Sequence, residues 1–347
     1  MRSIIVPTLL IIAILGLTSC GVDKEKAIFM APGSYGDVAV VVSHASMAGN
    51  LGGFRSAFNE ELTFILAREN RFKIDVFTPD KWDLCKGYKN IIFVWRVGDG
   101  GPVEKMLDDR LSKAGRSRVQ TGSGTILQME EPFSSYQIGV IVAATDRNSL
   151  FSYLKNQAPE LRERFERESS LRIMRRYRHD GINSALMQDL WRRHRFFIEI
   201  PTVFKLNQDS PDGYPAVELM QTAPSRGLTI GWTQSSDPEL LMSQHFLLLE
   251  LRKELGLKMH HEDINPQSLV WKTDTIGDLP AVRLEGAWTS RSFEGGGAFW
   301  SWFVADPASN RVFCLDGLVY APGSDKMDYF RRLRTIAQTF SLERPQP

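Results

Sequence analysis

The first twenty residues decide which part of this chain can fold as a globular body. Behind Arg2, a mostly apolar run of fourteen residues extends from Ile4 to Leu17. Such a run is shorter than the roughly 20 residues that a helix needs to cross a bilayer. The pattern favours a cleaved signal peptide over residues 1–19, so that the folded body is built from the rest of the chain.

The run ends in Leu17-Thr18-Ser19-Cys20, which resembles the bacterial lipobox. The resemblance implies that Cys20 becomes the mature N-terminus, with its sulfur and its amine acylated. Several acyl chains anchor a protein stably, because each buried methylene contributes about 0.8 kcal/mol and one chain alone binds only marginally. An uncleaved anchor or a chance cysteine is the alternative. The sequence therefore predicts a cell-envelope protein held to the membrane by lipid, as an outer-membrane lipoprotein whose periplasmic or surface face stays open.

Charge and length limit the classes of partner and the number of domains. Removal of residues 1–19 takes away only Arg2, which lowers the formal net charge from +1 to about zero. No electrostatic partner of the whole chain follows from that balance, and nucleic acid is not expected as a partner in the envelope. The mature chain is long enough for two domains of ~150 residues each.

The order of patterns along the chain predicts an α+β fold. We expect two α/β sandwich domains with mixed or antiparallel sheets flanked by helices, and regular βαβ winding is not evident. The predicted division is a lipidated cysteine and tether over 20–36, an N-terminal α+β domain over 37–196 that ends in an arginine-rich helical region, and a C-terminal antiparallel-sheet α+β domain over 197–347.

Hydrophobic periodicity places the individual elements. Strands are predicted at 37–42, 72–77, 90–97, 125–129, 137–143, 197–201, 269–273, 280–289, 298–305 and 311–320. Helices are predicted at 54–70, 103–114, 148–194, 238–257 and 325–340, and the longest of them is expected to break at Asp180-Gly181.

Several short motifs together suggest a family. They are Asn90-Ile91-Ile92, Ile198-Glu199-Ile200-Pro201, Gly286-Ala287-Trp288, Gly296-Gly297-Ala298-Phe299 and Val319-Tyr320-Ala321-Pro322, the last followed by Lys326 and an arginine-rich helix. With these motifs the mature chain resembles the Bacteroidota lipoproteins grouped as domain of unknown function 4837. It departs from them at Asn70-Arg71-Phe72-Lys73-Ile74, where the family has a Pro-Gln-x-Glu-Pro element. The resemblance implies an envelope location and no activity. The second half is also similar in layout to the PsbP-like fold, by analogy only.

Two cysteines remain after lipidation, Cys85 and Cys314. Unmodified cysteine is commonly buried, which favours two buried free thiols. A disulfide between the halves is the alternative in an oxidising envelope, and a catalytic thiol is a further one.

Candidate catalytic and metal motifs do not converge on a reaction. His260-His261-Glu262-Asp263 lacks the spacing that puts two ligands on one helical face, so a solvated loop is favoured over a metal site. Glu294-Gly295-Gly296-Gly297 favours a hairpin over a phosphate loop. A hydrolase nucleophile elbow does not occur in the sequence. We therefore predict no cofactor, no metal and no enzymatic activity.

Two groups of residues are candidates for ligand binding. The arginines of the middle region outnumber its acidic residues towards the C-terminal end, where a self-paired helix and a surface facing anionic lipid, polysaccharide or protein are the alternatives. Its candidates are Arg175, Arg176, Arg192 and Arg193.

The second group consists of Trp300 and Trp302, which share one face of a strand as a sugar-stacking platform or as part of an ordinary core. From both groups we expect a non-catalytic envelope protein that binds a protein partner or a ligand. The alternative is an envelope glycan-acting enzyme or a carbohydrate-binding protein that uses the tryptophan-rich C-terminal domain.

Overall fold

A computed structural model describes residues 31–59, 69–121 and 124–343. The predicted signal peptide, Cys20 and the first part of the predicted tether lie outside these residues. Residues 31–36 do not form a free tether, because they pack on the body: Ala31 and Tyr35 are buried, and the N–H of Gly33 donates to the carbonyl of Gly87 at 2.9 Å. The expected tether over 20–36 is therefore too long at its C-terminal end.

The first half of the molecule is built on a mixed five-stranded sheet in the order β2-β1-β3-β5-β4. Strands β1, β2, β3 and β5 are parallel, and β4 is an antiparallel edge strand. This mixed sheet agrees with the prediction. Regular βαβ winding is not evident from the sequence because β2 and β3 are joined through a 3₁₀ helix and not through an α-helix. The strands are β1 Asp37–Val42, β2 Lys73–Phe77, β3 Asn90–Arg96, β4 Thr125–Glu130 and β5 Ile138–Ala144.

Helices cover both faces of this sheet, which explains why β1, β3 and β5 are almost continuously apolar. They are α1 Gly52–Phe58, α2 Gly101–Arg110, α3 Lys113–Thr121, α4 Arg147–Asn156, α5 Ala158–Asp180 and α6 Ser184–His194, with 3₁₀ helices at Ala45–Asn50 and Pro79–Gly87. The predicted break at Asp180-Gly181 is confirmed, since Gly181 ends α5 with a φ of 115° that favours glycine.

The second half is built on an antiparallel seven-stranded sheet in the order β6-β7-β8-β12-β11-β10-β9. The strands are β6 Lys205–Asp209, β7 Ala216–Thr222, β8 Ser225–Gln234, β9 Glu262–Ile276, β10 Leu279–Ser290, β11 Gly296–Asp306 and β12 Arg311–Tyr320, with 3₁₀ helices at Pro211–Gly213 and Pro307–Ser309. The mixed and antiparallel sheets confirm the predicted α+β class. The predicted strand at 197–201 is wrong, because that segment makes only isolated bridges from Phe197 and Pro201.

Three helices pack on the second sheet: α7 Pro238–Met242, α8 His245–His260 and α9 Met327–Ala337. The expected single helix over 238–257 is two helices. The spacing of Leu241, Phe246, Leu249 and Leu255 predicts the apolar side of this helix, and that prediction is wrong at Phe246, which is 70% exposed. Helix α8 instead buries a stripe from Leu248 through Leu255 to Met259. Helices α7 and α8 cover one face of the sheet, and α9 lies on the other face.

The two halves contact each other through α5 and α9. A buried ion pair joins them, because Arg331 donates from Nε and Nη2 to the Glu166 carboxylate at 3.1 and 2.9 Å. Burial alone would raise the pKa of Glu166, but Arg331 outweighs it and lowers the pKa. The predicted domain boundary near 196 stays a prediction, since this junction is itself packed.

Both remaining cysteines are buried free thiols, as favoured by the sequence analysis. Burial raises the pKa of Cys85 to about 12 and that of Cys314 well above its usual value. Neither thiol carries the low pKa of a nucleophilic cysteine.

Candidate functional site

A cavity of about 460 Å³ lies where the first sheet, α5 and the second half meet. We call it the junction cavity. Its wall combines aromatic rings with basic groups, contributed mainly by Tyr35, Lys89, Tyr136, Arg176, Tyr177 and Arg332. Because a junction between packed units is a common position for ligand sites, this cavity is the first candidate.

The first half contributes residues that immediately precede its parallel strands. Tyr35 precedes β1, Lys89 precedes β3, and Tyr136 precedes β5. Since the amino ends of parallel strands meet at one edge of a sheet, the three side chains converge there. Ligands of open α/β sheets usually bind at the opposite, carboxyl edge, and here the amino edge is the one that faces the second half.

Helix α5 contributes one stripe of side chains along its length. Ile173, Arg176, Tyr177 and Asp180 line the junction cavity, and their spacing of three, four and seven residues keeps them on one face of the helix. Arg332 of α9 and Gln221 of β7 close the opposite side. The cavity therefore depends on the packing of α5 between the two halves.

A buried arginine fixes the base of the cavity. Arg172 donates to the carbonyls of Lys89 and Tyr136 at 2.7 and 3.0 Å, and to Asn90 Oδ1 at 2.6 Å. Its guanidinium also lies 5.5 Å from the centre of the Tyr35 ring. Because its partners are mostly neutral oxygens, Arg172 holds the loops in place without losing its positive charge.

Positive charge exceeds negative charge around the cavity. Lys89, Arg172, Arg176 and Arg332 lie at or behind its wall, against the carboxylates of Asp180 and Asp328.

The pKa values of the basic groups reflect this excess. Burial lowers the pKa of Lys89, and Arg172 and Arg332 lower it further, although Asp328 opposes them. Burial likewise lowers the pKa of Arg172 to about 10. Partly buried cations that lower one another's pKa favour a bound anion.

Two polar atoms at the cavity lack hydrogen bonds within the described residues. They are the hydroxyl of Tyr177, whose residue is 7% exposed, and Nε of Arg332. Burial raises the pKa of Tyr177, and Arg332 and Arg226 partly offset that rise. A buried donor without a partner costs roughly 1–3 kcal/mol, so an acceptor on a ligand would relieve it.

The structure separates the four arginines that the sequence analysis selected. Arg176 lines the junction cavity and pairs with Asp180 at 2.6 Å. Arg175 is more exposed, pairs with Glu131 at 2.7 Å and stacks 4.3 Å from the Tyr136 ring centre.

Arg192 and Arg193 lie on α6, where both donate to Asp189. They lie outside the lining of the junction cavity. Arg193 also contacts Asp209 of β6. Of the four arginines, Arg176 is the one that lines the junction cavity.

The sugar-stacking hypothesis for Trp300 and Trp302 is corrected by their burial. Trp300 is 2% exposed and stacks on Phe330 at 4.9 Å, and Trp302 is fully buried. Their shared strand face is a core face beneath α9. No sugar can reach either ring without opening that core.

The solvated-loop interpretation of His260-His261-Glu262-Asp263 is wrong for two of its four residues. His260 ends α8 and Glu262 begins β9, and both side chains turn inward, with Glu262 only 3% exposed. His261 and Asp263 are exposed. Within 31–59, 69–121 and 124–343, no group of three or more His, Cys, Asp or Glu side chains is arranged to hold a metal ion.

Residues 255–339 match the family model described as Domain of unknown function (DUF4837). The expected resemblance to DUF4837 is thereby confirmed over this segment. The DUF4837 segment runs from the last turns of α8 to the end of α9, and it includes Arg332 of the junction cavity.

Comparisons with solved structures and with curated proteins add little to the family match. A crystal structure from Bacteroides thetaiotaomicron VPI-5482 is similar with 11% sequence identity and a TM-score of 0.29, over 43% of this chain and 45% of that chain. The chain thus spans less than half the length of that protein. No curated protein matches the sequence.

Sequence reasoning missed most of the cavity wall. The tyrosines and Lys89 lie far apart in the chain, and each is unremarkable in its local pattern. The sequence contains one usable signal for these residues, which is their position one or two residues before a buried strand.

No helix of the described residues has the length and apolar character to span a membrane.

Proposed function

We propose that this protein is a lipid-anchored, non-catalytic protein of the cell envelope, an outer-membrane lipoprotein whose body binds an organic anion in the junction cavity. The observation that carries the binding proposal is the excess of partly buried cations at the cavity wall, where Arg332 also lies beside the hydroxyl of Tyr177. The binding and the anchoring rest on different evidence and have separate tests.

The anchor is supported by the motif Leu17-Thr18-Ser19-Cys20. Ten residues lie between Cys20 and Ala31, which is buried at the junction cavity, so the two are eleven steps apart along the chain. At about 3.5 Å per extended residue, such a segment spans at most ~40 Å. A lipid on Cys20 would therefore hold the cavity close to the membrane surface.

The chemistry of the wall defines the ligand class. Arginine and lysine recognise carboxylate and phosphate groups through charge-assisted hydrogen bonds, and tyrosine rings present apolar faces next to a hydroxyl. We therefore infer a small anion with a carboxylate or phosphate on a ring-shaped body. Acidic sugars belong to this class, and they occur among envelope glycans.

Calorimetric titration of the purified protein at constant ionic strength tests the ligand class. The probes are D-glucuronate, inorganic phosphate and, as the uncharged match of the first, D-glucose. We expect glucuronate to bind, phosphate to bind more weakly and to compete with it, and glucose not to bind, because only the two anions satisfy the cations of the wall.

A pair of variants on one helix locates the site. Arg176→Gln removes a cation of the cavity wall, whereas Arg178→Gln removes one that pairs with Glu199 outside it. We expect R176Q to weaken glucuronate binding about tenfold, as for loss of one charge-assisted contact, and R178Q to change it less than about twofold. Equal effects of the two variants, or binding of glucose as strong as that of glucuronate, would contradict the proposal.

The anchor is tested by membrane fractionation and mass mapping of the mature N-terminus. We expect a cleaved, acylated Cys20 in the membrane fraction and release of a Cys20→Ser variant from that fraction. An unmodified Cys20 or an intact leader would reject the anchor and leave the binding proposal untouched.

The alternative function was an envelope glycan-acting enzyme. Burial of Trp300 and Trp302 removes the observation that motivated it. The part of this alternative that remains is carbohydrate binding without catalysis, restricted to an acidic sugar in the junction cavity. Turnover of an acidic glycan by the wild type, lost in R176Q, would favour the enzyme instead.

A further inference from the structure

A second cavity, of about 340 Å³, lies between the C-terminal end of α8 and the second sheet. We call it the α8 cavity. Its walls are apolar or aromatic, formed by Met220, Trp288, Phe293, Leu318 and Tyr320. Its polar lining includes the carboxylates of Glu218 and Glu262, the imidazole of His260, and Arg226, whose guanidinium donates to the carbonyl of Pro224 and to Gln221 Oε1. The cavity thus combines an apolar body with a small set of convergent polar groups.

The turn from α8 into β9 creates the polar floor. His260 is the last residue of α8, His261 adopts a left-handed φ of 53°, and Glu262 opens β9. This single left-handed residue reverses the chain direction while His260 and Glu262 both face inward. Gly256 makes room for the turn, since a Cβ there would lie 2.6 Å from a carboxylate oxygen of Glu262.

His260 is held on the floor by two neighbours. Its Nε2 lies 3.0 Å from the hydroxyl of Thr229, and its Nδ1 lies 3.4 Å from the carboxylate of Glu218. Because a carboxylate only accepts, these partners assign the proton of the neutral ring to Nδ1. Glu218 also accepts from Asn207 Nδ2 at 2.5 Å.

Glu262 belongs to a buried charge cluster. Arg252 contacts Glu262 at 2.5 Å and Asp316 at 2.8 Å, and its guanidinium lies 4.2 Å from the centre of the Phe299 ring. Asp316 accepts from the Ser301 hydroxyl at 2.5 Å. One guanidinium thus serves two carboxylates that have no access to solvent.

The cluster and the floor together carry an excess of carboxylates. Glu262 and Asp316 flank Arg252, and Glu218 lies beside His260. His260 is uncharged because burial lowers its pKa to about 3. Burial raises the pKa of Glu218, of Asp316 and of Glu262, the last to about 7.

One oxygen of the floor is unsatisfied. Oε2 of Glu262 is buried and has no hydrogen-bond partner within the described residues, although Glu262 lines the cavity. A buried carboxylate oxygen without a donor is costly. The group that best satisfies it is a donor that also carries positive charge.

We propose that the α8 cavity is a second ligand site, which binds a small organic cation: an ammonium group on the carboxylates of Glu262 and Glu218, with an apolar or aromatic body against Trp288, Leu318 and Tyr320. The site is independent of anion binding in the junction cavity. Six of its eleven lining residues, among them His260 and Glu262 of the floor, lie in the DUF4837 segment, whereas Glu218 lies outside it.

The entrance carries a side chain suited to close over a ligand. Phe293 lies in the loop between β10 and β11, is 50% exposed, and meets the Tyr320 ring edge-on at 5.6 Å. Because half of its surface is exposed, Phe293 can contact a ligand without displacing the core. The cavity volume lies at the low end for ligand sites, which limits the ligand to a single ring or a short chain.

NMR titration of the purified protein tests this site, with the indole N–H of Trp288 as reporter and a Trp288→Phe variant to assign it. The probes are benzylamine, its uncharged match benzyl alcohol, and benzoate. We expect benzylamine to shift the Trp288 signal at the lowest concentration, benzyl alcohol to need about tenfold more, and benzoate to leave the signal unchanged.

Neighbouring carboxylates provide the matched control. Glu262→Gln removes the charge on the floor, whereas Asp263→Asn removes one that is exposed and paired with Arg291 at the surface. We expect E262Q to weaken benzylamine about tenfold, as for loss of a buried charge pair, and to abolish its preference over benzyl alcohol. D263N should change the affinity less than about twofold.

A second variant keeps the proposal testable if E262Q perturbs the fold. Phe293→Ala changes an exposed loop side chain and should weaken all binding at the cavity several-fold without changing the preference for the amine. The proposal is overturned if benzoate shifts Trp288 as benzylamine does, if E262Q and D263N act alike, or if benzylamine leaves the Trp288 signal in place.

Discussion

The junction cavity and the α8 cavity are similar in build and opposite in charge. Both are lined by aromatic rings, and both contain a buried side-chain oxygen beside an arginine, the Tyr177 hydroxyl beside Arg332 in one and the Glu262 carboxylate beside Arg252 in the other. Basic groups dominate the first and carboxylates the second. A chain with a formal net charge of +1 thus separates its charges into two sites, which whole-chain composition does not show.

The two cavities also differ in whether their charged groups are stabilised by buried ion pairs or by solvent. In the α8 cavity a fully buried guanidinium, Arg252, contacts two carboxylates directly. In the junction cavity the cations lie nearer to water, and Arg176 has both a carboxylate partner and solvent access. From this difference we expect the α8 cavity to need the positive charge of Arg252 for stable folding, and the junction cavity not to need the charge of Arg176.

The largest expected effect on stability comes from a substitution of Arg252, which tests this difference between the two cavities. Arg252→Met leaves Glu262 and Asp316 buried without their cation, and we expect a loss of about 3–5 kcal/mol in the free energy of unfolding. Chemical denaturation measures it. The matched change in the other cavity, Arg176→Met, should cost less than about 1 kcal/mol because its pair is solvent-exposed.

A double variant tests whether the unpaired carboxylates cause the loss of stability in R252M. Adding Glu262→Gln to R252M should recover part of the loss, because one of the two unpaired carboxylates is then neutral. A loss below about 1 kcal/mol for R252M alone would show that the cluster does not need its cation, and it would remove the distinction between the two cavities.

A smaller effect concerns pH, where Glu262 and His260 act in opposite directions. Burial raises the pKa of Glu262 from 4.5 to about 7, so its contribution to stability is full below pH 4.5 and is lost as the pH rises through 7. Burial lowers the pKa of His260 from 6.5 to about 3, so its contribution is full above pH 6.5 and is lost as the pH falls towards 3.

Single variants should therefore reveal opposite slopes of the unfolding free energy. In E262Q, His260 is the titrating group of the two that remains, so the stability of this variant should fall as the pH drops below 6.5. In His260→Gln, Glu262 remains, so the stability of that variant should fall as the pH rises from 4.5 to 7. Each slope is at most about 1.4 kcal/mol per pH unit. Denaturation across this pH range measures it, with exposed His261→Gln as control, and equal slopes in the two variants would contradict the account.

The sequence could predict much of the frame in which these sites lie. The β-branched run of β1 and the helix break at Gly181 were both correct because local patterns determine them. The α8 cluster could not be predicted, since Glu218, Glu262 and Asp316 come from β7, β9 and β12, none of which neighbours another in the sheet. Glu262 and Asp316 are joined only through Arg252 of α8. One signal was available: Arg252 occupies a helical position between the apolar Leu248 and Leu255, which marks a buried charge.

The smallest expected effect lies in the junction cavity. Tyr177→Phe removes a buried hydroxyl that lies beside Arg332, so we expect the free energy of unfolding to stay within about 1 kcal/mol of wild type, while glucuronate binding weakens. Thermal denaturation and calorimetry check the two halves of this expectation. A clear destabilisation, with anion affinity unchanged, would show that the hydroxyl is a structural group.

The junction cavity also shows why sequence analysis fails at sites between halves. Only Arg176 was selected, on the basis of charge, and its neighbours Arg192 and Arg193 were selected for the same reason although they bind Asp189 on α6. Charge density along a helix cannot distinguish a stripe that faces a cavity from one that faces its own carboxylates. The distinction depends on which face packs against the second half.

The most direct test of two oppositely charged sites is one NMR experiment, in which the protein is titrated with glucuronate and then, at saturation, with benzylamine. We predict that glucuronate shifts the amide signals of Tyr177 and Arg332, that benzylamine shifts those of Glu262 and Tyr320, and that neither probe displaces the other. Both probes acting on the same residues, or neither shifting its own set, would contradict the account.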